Sequence, residues 1–386
     1  MDRLELLENW LKPQIPGMPY TLAPASADAS FRRYFRVSLP DRSLIVMDAP
    51  PEHEDCRPFI HVAELFRDAG VRVPHILAQD LRQGFLLLTD LGGATYLDAL
   101  NENAAADALY TAATGALINI QLASRPSVLP DYDEALLLRE MRLFPDWYVS
   151  KHLRTELTST QAEALDRVFT LLLRNNLAQP KVFVHRDYHS RNLMATGGEQ
   201  GACRTYGNRS ENSAGRGQSL PVLQVNSCSI DQKNGEIWTG QPNLQPNHHE
   251  SDRLPGILDF QDAVYGPITY DLVSLLKDAY IHWEEERVLD WTIRYWEKAK
   301  KAGLPVPRDF AEFYLDFEWM GAQRHIKVLG IFARLCHRDG KENYLKDMPL
   351  VMAYLRKVCE RYRELHPLLK LLDELENRQA VVGYTF

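Results

Sequence analysis

The sequence predicts an α+β protein of two lobes, in which a small antiparallel β-sheet lobe precedes a larger, mainly helical lobe. The chain has 386 residues, which suits two lobes better than one compact domain. Within the first 90 residues, β-prone apolar stretches alternate with polar turns. From residue 104 onward, apolar residues recur instead at the spacing of amphipathic helices. This change of period separates the two lobes.

The N-terminal lobe is predicted to span residues 1–91 and to carry one helix between its strands. Polar turns such as Pro40-Asp41-Arg42 separate the β-prone stretches, which is the pattern of hairpins. The predicted elements, in chain order, are a helix over 2–12, two strands within 31–48, a helix over 55–69 and two strands within 76–90. The interlobe hinge is expected at Leu91-Gly92-Gly93, because glycine lets the chain turn without a steric penalty from Cβ.

The C-terminal lobe is predicted to span residues 92–386 and to be mainly helical. Its predicted helical stretches are 104–124, 133–153, 160–178 and 269–376. Residues 196–254 interrupt this pattern with a composition dominated by Gly, Ser, Asn, Gln and Pro. Such a segment buries too little apolar surface to offset its ordering entropy. We therefore interpret it as a surface insertion in the larger lobe.

Composition argues against several classes of partner. The formal net charge of −8 opposes binding along a nucleic-acid backbone, which requires a dense basic face. The five cysteines are scattered without a C-x-x-C pair, which indicates a reducing compartment and neither a zinc nor a redox centre. The N-terminus lacks the apolar core of a secretory signal, and no run is apolar enough to span a bilayer. We expect a cytoplasmic monomer without nucleic-acid or membrane partners.

The strongest chemical signal is the segment KVFVHRDYHSRNLM, residues 181–194. A short apolar strand precedes His185-Arg186-Asp187, and Asn192 follows five residues after the aspartate, which matches the catalytic loop H-R-D-x-x-x-x-N of kinases. Phosphoryl transfer needs a carboxylate that aligns the acceptor hydroxyl and takes its proton, so Asp187 is the predicted catalytic residue. Asn192 is predicted to give an oxygen to Mg²⁺. His185 and Arg186 are expected to support the loop.

A second motif supplies the acidic metal ligand that the first one lacks. In GILDFQDAVYGP, Asp259 follows an apolar strand at the position of the D-F-G aspartate of kinases, although Gln261 replaces the glycine. Either aspartate alone would suit an ordinary turn, but the two motifs occur in the order that a kinase requires. Together they predict a protein-kinase-like fold that uses ATP and Mg²⁺. Asp271, at a helix start, is expected to cap that helix or to bind the catalytic loop.

With these motifs in view, the chain resembles the aminoglycoside phosphotransferase family, a branch of the protein-kinase-like fold that phosphorylates small molecules. The similarity runs from about Pro24 to the last helices. It is strongest to the family's bacterial amino-sugar kinases of cell-wall and peptidoglycan recycling, and is carried by ASADASFRRYFRV, GFLLLTDLG, VHRDYHSRNLM and ILDFQDAVYGPITYDLVSLLKDAY. The resemblance implies transfer of the ATP γ-phosphoryl group to the anomeric C1 hydroxyl of a small sugar substrate, N-acetylmuramate or N-acetylglucosamine.

The chain departs from the kinase pattern where the nucleotide phosphates should bind. Ala27-Asp28-Ala29-Ser30 stands in place of a glycine-rich loop, and Met47 or Asp48 takes the place of the usual phosphate-binding lysine. Two arginines are expected to meet the phosphate charge instead. The predicted nucleotide contacts are Ser30, Arg32, Arg33, Thr89 and Leu91.

Candidates for acceptor binding follow from the chemistry of the sugar. N-acetylmuramate carries a lactyl carboxylate, which an arginine recognises through a bidentate pair. We expect this arginine to be Arg191, beside the catalytic loop, or Arg324, on a late helix, and we expect Asp262 to accept hydrogen bonds from sugar hydroxyls. The alternative for both arginines is ordinary ion pairing.

Other functions remain open at the level of sequence. A kinase for an aminoglycoside, choline or an amino alcohol would require an acidic pocket, which the arginines within 319–338 oppose. A protein kinase would need an A-P-E motif after Asp259, which the sequence lacks. A nucleotide-binding pseudokinase that acts as a scaffold would explain the missing lysine. The intact Asp187, Asn192 and Asp259 oppose that reading.

Overall fold

The computed structural model describes residues 2–26, 31–101, 105–195 and 254–376. Within these ranges a five-stranded antiparallel sheet forms in the N-terminal part, and helices dominate the rest. These features confirm the predicted α+β class. The predicted insertion lies outside the described residues except for Leu254, and so does Ala27-Asp28-Ala29-Ser30. None of the helices in the described ranges has the length and apolar character that crossing a bilayer requires.

The N-terminal part contains both predicted pairs of strands and one further strand. Its elements are α1 (Arg3–Leu11), β1 (Thr21–Ser26), β2 (Arg33–Ser38), β3 (Ser43–Asp48), α2 (Cys56–Asp68), β4 (Ile76–Asp80) and β5 (Phe85–Thr89). The strand order is β1-β2-β3-β5-β4. β1 was not predicted, because Pro24 weakens its strand signal. As an edge strand with a register shift at this proline, β1 tolerates the missing N–H.

The sheet is covered on both faces by helices. Side chains alternate between the two faces of a strand, so Val46 of β3 packs with Leu7 and Leu11 of α1. The neighbouring Met47 packs on the opposite face with Phe59 of α2. Met47 is therefore core, and the position that carries a lysine in kinases faces apolar side chains here.

Within the described residues, the C-terminal part is mainly helical and carries four short strands. Its elements are α3 (Tyr96–Asn101), α4 (Ala106–Leu122), α5 (Glu134–Leu143), a π-helical segment (Phe144–His152), α6 (Ser159–Ala178), β6 (Lys181–Val184), β7 (Leu193–Met194), β8 (Gly256–Ile257), β9 (Val264–Pro267), α7 (Tyr270–Leu276), α8 (Glu285–Lys301), α9 (Phe310–Asp339), α10 (Met348–Arg361) and α11 (His366–Leu375). Short 3₁₀ segments occur at Lys12–Gln14, Glu342–Asp347 and Arg363–Leu365.

Two of these elements differ from the sequence-based expectation. α3 has six residues, which is too short to show a helical period. The helix predicted over 133–153 is α-helical only to Leu143 and continues as a π-helical segment. Pro145 stands at this transition, where its missing N–H and its ring disrupt the α-helical hydrogen bonds.

Helix α9 is the central element of the C-terminal part. It begins after the N-cap Asp309, whose side chain accepts from the N–H of Ala311, and it ends at Gly340 in the left-handed conformation. Its middle is buried on nearly every side, which is typical of a helix inside a protein core. This buried stretch includes Arg324 and Lys327. α9 therefore brings two positive charges into the interior, beneath the loop that follows β6.

Gly330 allows α9 to touch the backbone of α5. A Cβ added to Gly330 would lie 2.4 Å from the carbonyl carbon of Leu143 and 2.6 Å from its oxygen. Backbone atoms cannot move aside as a flexible side chain does, so the two helices can pack this closely only with glycine at residue 330.

We expect Gly330→Ala to lower the free energy of unfolding by about 1–3 kcal/mol, because overpacking separates α9 from α5. Gly115→Ala is the matched control, since no atom lies within 4 Å of its added Cβ. In the middle of α4, that change should stabilise the protein by about 0.5–1 kcal/mol. Urea denaturation measures both, and equal stabilities of the two variants would contradict the assignment.

Candidate active site

Two small antiparallel pairs bring the two sequence motifs together. β6 pairs with β9, and β7 pairs with β8. The loop from His185 to Asn192 leaves β6 and enters β7, and the loop that carries Asp259 leaves β8 and enters β9. The N–H of Leu258 also donates to the carbonyl of Asn192 at 2.9 Å. The pairing thus fixes the second motif against the first.

Asp187, Asn192 and Asp259 converge at the meeting point of these loops. The side-chain amide of Asn192 donates through Nδ2 to the carbonyl of Asp187 at 2.9 Å and to Oδ2 of Asp259 at 3.4 Å. Gln261, which replaces the glycine of the kinase motif, donates through Nε2 to Oδ1 of Asp259 at 2.8 Å. Asp259 has a left-handed φ of 61°. The three predicted site residues therefore form one cluster.

The donor set of this cluster fits Mg²⁺. That ion prefers hard oxygen ligands, keeps several waters, and takes one or two carboxylates together with substrate phosphates. Asp259 supplies a carboxylate, and the hydrogen bonds of Asn192 through Nδ2 leave its Oδ1 on the other side of the amide. Assignment of these two residues as metal ligands stays a prediction.

Buried positive charges surround Asp187. Burial raises the pKa of this carboxyl, but the charges of Lys327, Arg324 and His189 outweigh that effect and hold the pKa well below its usual value. The low pKa keeps the carboxylate ionised at neutral pH. The side chain is also 44% exposed, so it is accessible. A carboxylate of such low basicity is suited to align an acceptor hydroxyl, whose proton leaves late in a loose phosphoryl-transfer transition state.

Arg324 lies beneath the catalytic loop. It is buried, donates to the carbonyl of Arg186 at 2.8 Å and to the hydroxyl of Tyr270 at 3.1 Å, and lies 3.9 Å from Oδ1 of Asp187. Each of these partners belongs to the loop or its support. The predicted contact of Arg324 with an acceptor carboxylate stays a prediction, and its geometry favours positioning of the loop instead.

The loop is also held by a buried carboxylate and a buried imidazole. Asp271 accepts from the backbone N–H of His185 at 2.6 Å and of Arg186 at 3.0 Å, and Arg186 has a left-handed φ of 78°. Burial lowers the pKa of His185 to about 4. A neutral ring with its proton on Nε2 then donates to the carbonyl of Leu258 at 2.9 Å and accepts from the N–H of Asp187 at 3.2 Å. Asp271 is therefore a partner of the catalytic loop, which is one of the two roles expected from the sequence.

Two residues of this support were missed by sequence reasoning. Glu140 of α5 is buried, binds Arg186 and accepts from the hydroxyl of Tyr132, and its Oε1 lies 3.1 Å from Nζ of Lys327. Lys327 also donates to the hydroxyl of Tyr270 at 2.9 Å. The available signal was a charged residue on the apolar face of an amphipathic helix, because Glu140 lies beside the buried Leu137 and Met141.

The two predicted phosphate-binding arginines point to different partners. Arg33 pairs with Asp48 through Nε at 3.0 Å, and Asp48 is fully buried and also pairs with Arg3. Nε of Arg32 lies 3.2 Å from Oε2 of Glu54. Burial lowers the pKa of Arg32, but nearby negative groups, including the carboxylate of Asp259, outweigh this and raise it. The carboxylate of Asp259 is thus among the groups that favour the charged form of Arg32.

The segment predicted to be the hinge is tied to the sheet through Asp90. Its carboxylate accepts from Nε of Arg36 and the hydroxyl of Ser43, each at 2.7 Å. Thr89 exchanges two hydrogen bonds with the backbone of His75, both at 2.9 Å, and the carbonyl of Leu91 accepts from Arg72 at 3.3 Å.

Nucleotide binding by Thr89 and Leu91 stays a prediction, and Ser30 lies outside the described residues.

The remaining candidates are Arg191 and Asp262. Arg191 stacks over Tyr280, with Cζ 3.5 Å from the ring centroid, and lies 3.7 Å from Oδ2 of Asp347. Asp262 is exposed, and its carbonyl accepts from Arg186 at 3.4 Å. Their roles in acceptor binding stay predictions.

Comparison with known proteins places this geometry in a family. The profile of the phosphotransferase enzyme family (APH) matches residues 21–203 and 243–313, so the interruption falls inside the predicted insertion. A protein of Neisseria meningitidis serogroup B named N-acetylmuramate/N-acetylglucosamine kinase is 45% identical over 391 positions that cover both chains completely. A protein of the same name from Pseudomonas aeruginosa is 45% identical and covers 97% of each chain.

Solved structures share the fold at low sequence identity. A choline/ethanolamine kinase family protein from Mesorhizobium loti superposes with a TM-score of 0.57 at 12% identity, over 96% of this chain and 100% of that one. A choline kinase from Streptococcus pneumoniae gives 0.56 at 9% identity, over 92% and 100%. At such identities the likeness shows the fold alone.

We expect Asp271→Ala to lower the free energy of unfolding by about 2–4 kcal/mol, because two buried backbone N–H groups lose their acceptor. Asp271→Asn keeps one acceptor oxygen and should be intermediate. Urea denaturation of the three proteins measures the order. A stability of Asp271→Ala equal to that of the unchanged chain would contradict the role of this carboxylate.

Proposed function

Because the chain belongs to the phosphotransferase enzyme family, we propose that it is an ATP-dependent kinase that phosphorylates the anomeric C1 hydroxyl of N-acetylmuramate and N-acetylglucosamine in peptidoglycan recycling. The observation that carries this proposal is the convergence of Asp187, Asn192 and Asp259. The 45% identity over the full length to a kinase named for these two sugars supports the choice of acceptor.

Asp187 is the group that prepares the acceptor. Its carboxylate accepts the hydrogen bond of the C1 hydroxyl and turns the oxygen toward the γ-phosphorus. It receives the proton as the new P–O bond forms and the bond from the γ-phosphorus to the departing ADP breaks. A hemiacetal hydroxyl is more acidic than a simple alcohol, which suits a carboxylate of low pKa. The surrounding positive charges disfavour the protonated carboxyl, so the proton is passed to solvent through the exposed side of Asp187.

Asn192 and Asp259 are the residues that would hold Mg²⁺, which when bound neutralises charge on the β- and γ-phosphates. Gln261 keeps the carboxylate of Asp259 oriented. Arg32 is paired with Glu54. We assign this pair the role that the lysine–glutamate pair has in protein kinases. Arg33 is engaged by Asp48 and contributes to the stability of the sheet.

We further propose that the enzyme works in the cytoplasm as a monomer, with ATP and a small sugar as its partners. Its five scattered cysteines suit a reducing compartment, and its net charge of −8 opposes contact with nucleic acids and anionic membranes.

The direct test is phosphorus NMR of the product formed from ATP, Mg²⁺ and each sugar, with choline and an aminoglycoside as comparison acceptors. We expect a sugar 1-phosphate, identified by coupling of phosphorus to the anomeric proton. Asp187→Asn should lower kcat by about 10²–10⁴-fold, the usual contribution of a general base. Phosphate on another hydroxyl, or transfer only to choline or the aminoglycoside, would sink the proposed function.

The two arginines give a matched pair of variants for the nucleotide site. We expect Arg32→Ala to raise the KM for ATP about tenfold or more, because a hydrogen bond between charged groups contributes about 1.5–3 kcal/mol. Arg33→Ala should leave the KM for ATP nearly unchanged and lower the melting temperature, because the buried Asp48 loses one of its two arginine partners. Steady-state kinetics and thermal unfolding report both, and the reverse order of KM effects would assign phosphate binding to Arg33.

A further inference from the structure

Beside the catalytic loop, a small cluster is formed by Arg191, Tyr280 and Asp347. Tyr280 is fixed next to the loop by Asp278, whose carboxylate accepts from the N–H of Ser190 at 3.0 Å and from the N–H of Tyr280 at 3.2 Å. One carboxylate thus joins the segment after α7 to the residue that precedes Arg191. These two hydrogen bonds therefore fix the position of Arg191 relative to Tyr280.

The guanidinium of Arg191 is oriented by stacking. Its Cζ lies 3.5 Å from the centroid of the Tyr280 ring and 5.9 Å from that of Tyr344. A guanidinium that stacks by its face keeps its N–H donors in the plane at its edge, where they suit a carboxylate. Its side chain is 36% exposed, so a ligand can reach this edge.

Asp347 stands beside this edge without forming a hydrogen bond to it. Oδ2 of Asp347 lies 3.7 Å from Arg191, which exceeds the length of a hydrogen bond. The same oxygen is buried, and among the described residues it has no hydrogen-bond partner. Asp347 thus offsets the charge of Arg191 while leaving its donors available to a second carboxylate.

The cluster shares its surroundings with Asp187. The backbone N–H of His189 donates to the carbonyl of Asp187 at 3.1 Å, and Arg191 follows two residues later in the same loop. His189 meets Tyr280 edge to face at 5.3 Å, and its Nδ1 is a buried atom without a hydrogen-bond partner among the described residues. The ring of Tyr280 thus contacts both His189 and Arg191, which places Arg191 beside the loop that carries Asp187.

We propose that the pair of Arg191 and Asp347 sets the preference of the enzyme between acceptor sugars with and without a carboxylate. This inference rests on the proposed function. Arg191 binds the lactyl carboxylate of N-acetylmuramate, and Asp347 limits this preference by supplying a competing negative charge. When the sugar is N-acetylglucosamine, Asp347 remains as the counter-charge, so the site does not leave an arginine unpaired. Arg324 cannot replace Arg191, because its described contacts hold the catalytic loop.

The test compares kcat/KM for N-acetylmuramate with kcat/KM for N-acetylglucosamine, because partial misfolding lowers both values alike and leaves their ratio unchanged. We expect Arg191→Gln to lower the ratio about tenfold or more, as the loss of a bidentate charged pair implies. Asp347→Asn should raise the ratio about threefold or more, because a like charge beside the carboxylate is removed. In the double variant the effect of Asp347→Asn should vanish, because Asp347 acts through Arg191.

Arg287→Gln is the matched control. Arg287 also stacks on an aromatic ring, with Cζ 4.6 Å from the Trp283 centroid, and it also pairs loosely with an aspartate, Asp107, at 3.5 Å. Its loss should leave the ratio unchanged. If both sugars are phosphorylated and neither Arg191→Gln nor Asp347→Asn moves the ratio, this inference fails and the proposed function stands. If the unchanged chain phosphorylates neither sugar, both fail.

Discussion

One buried carboxylate holds the backbone of the catalytic loop. Charged side chains beneath this loop are paired with side chains of opposite charge. Asp271 accepts from two consecutive N–H groups, the second at the left-handed residue Arg186. Buried backbone donors require partners, and buried charges require opposite charges. Arg186, Arg324 and Lys327 supply the positive charges that Glu140 and Asp187 need. The helices of the C-terminal part thus fix Asp187 through electrostatics as much as through packing.

Sequence predicted those parts of the site that follow from local spacing. The motif around Asp187 and Asn192 has a fixed length, and the short strands on both sides place it, so its meeting with Asp259 could be expected. Glu140 and Lys327 come from helices α5 and α9, far away in the chain, and only tertiary packing brings them beneath the loop. Periodicity predicted the longer helices, but it did not predict α3 or β1. α3 is too short to show a helical period, and Pro24 weakens the strand signal of β1.

The choice between Arg32 and Arg33 shows where adjacent residues cannot be told apart by sequence. Successive side chains of an extended segment point in opposite directions. The register of β2 and β3 places Arg33 directly opposite Asp48, so an ion pair forms across the strands. Arg32 consequently turns toward Glu54 and the metal cluster. Asp48 therefore engages Arg33, and this pairing is the reason that Arg32 is the arginine proposed to bind the nucleotide.

The pairing of β7 with β8 has a consequence for how this chain tolerates change in length. Met194 lies opposite Gly256, so the stretch that joins them leaves and re-enters the domain at neighbouring points. The entropy of closing a loop grows only with the logarithm of its length. The hydrogen bonds between β7 and β8 hold the two ends of this connection together, whether residues are gained or lost between them. Evolution can vary this connection, or an engineer can insert a reporter domain in it, without altering the spacing of the catalytic groups.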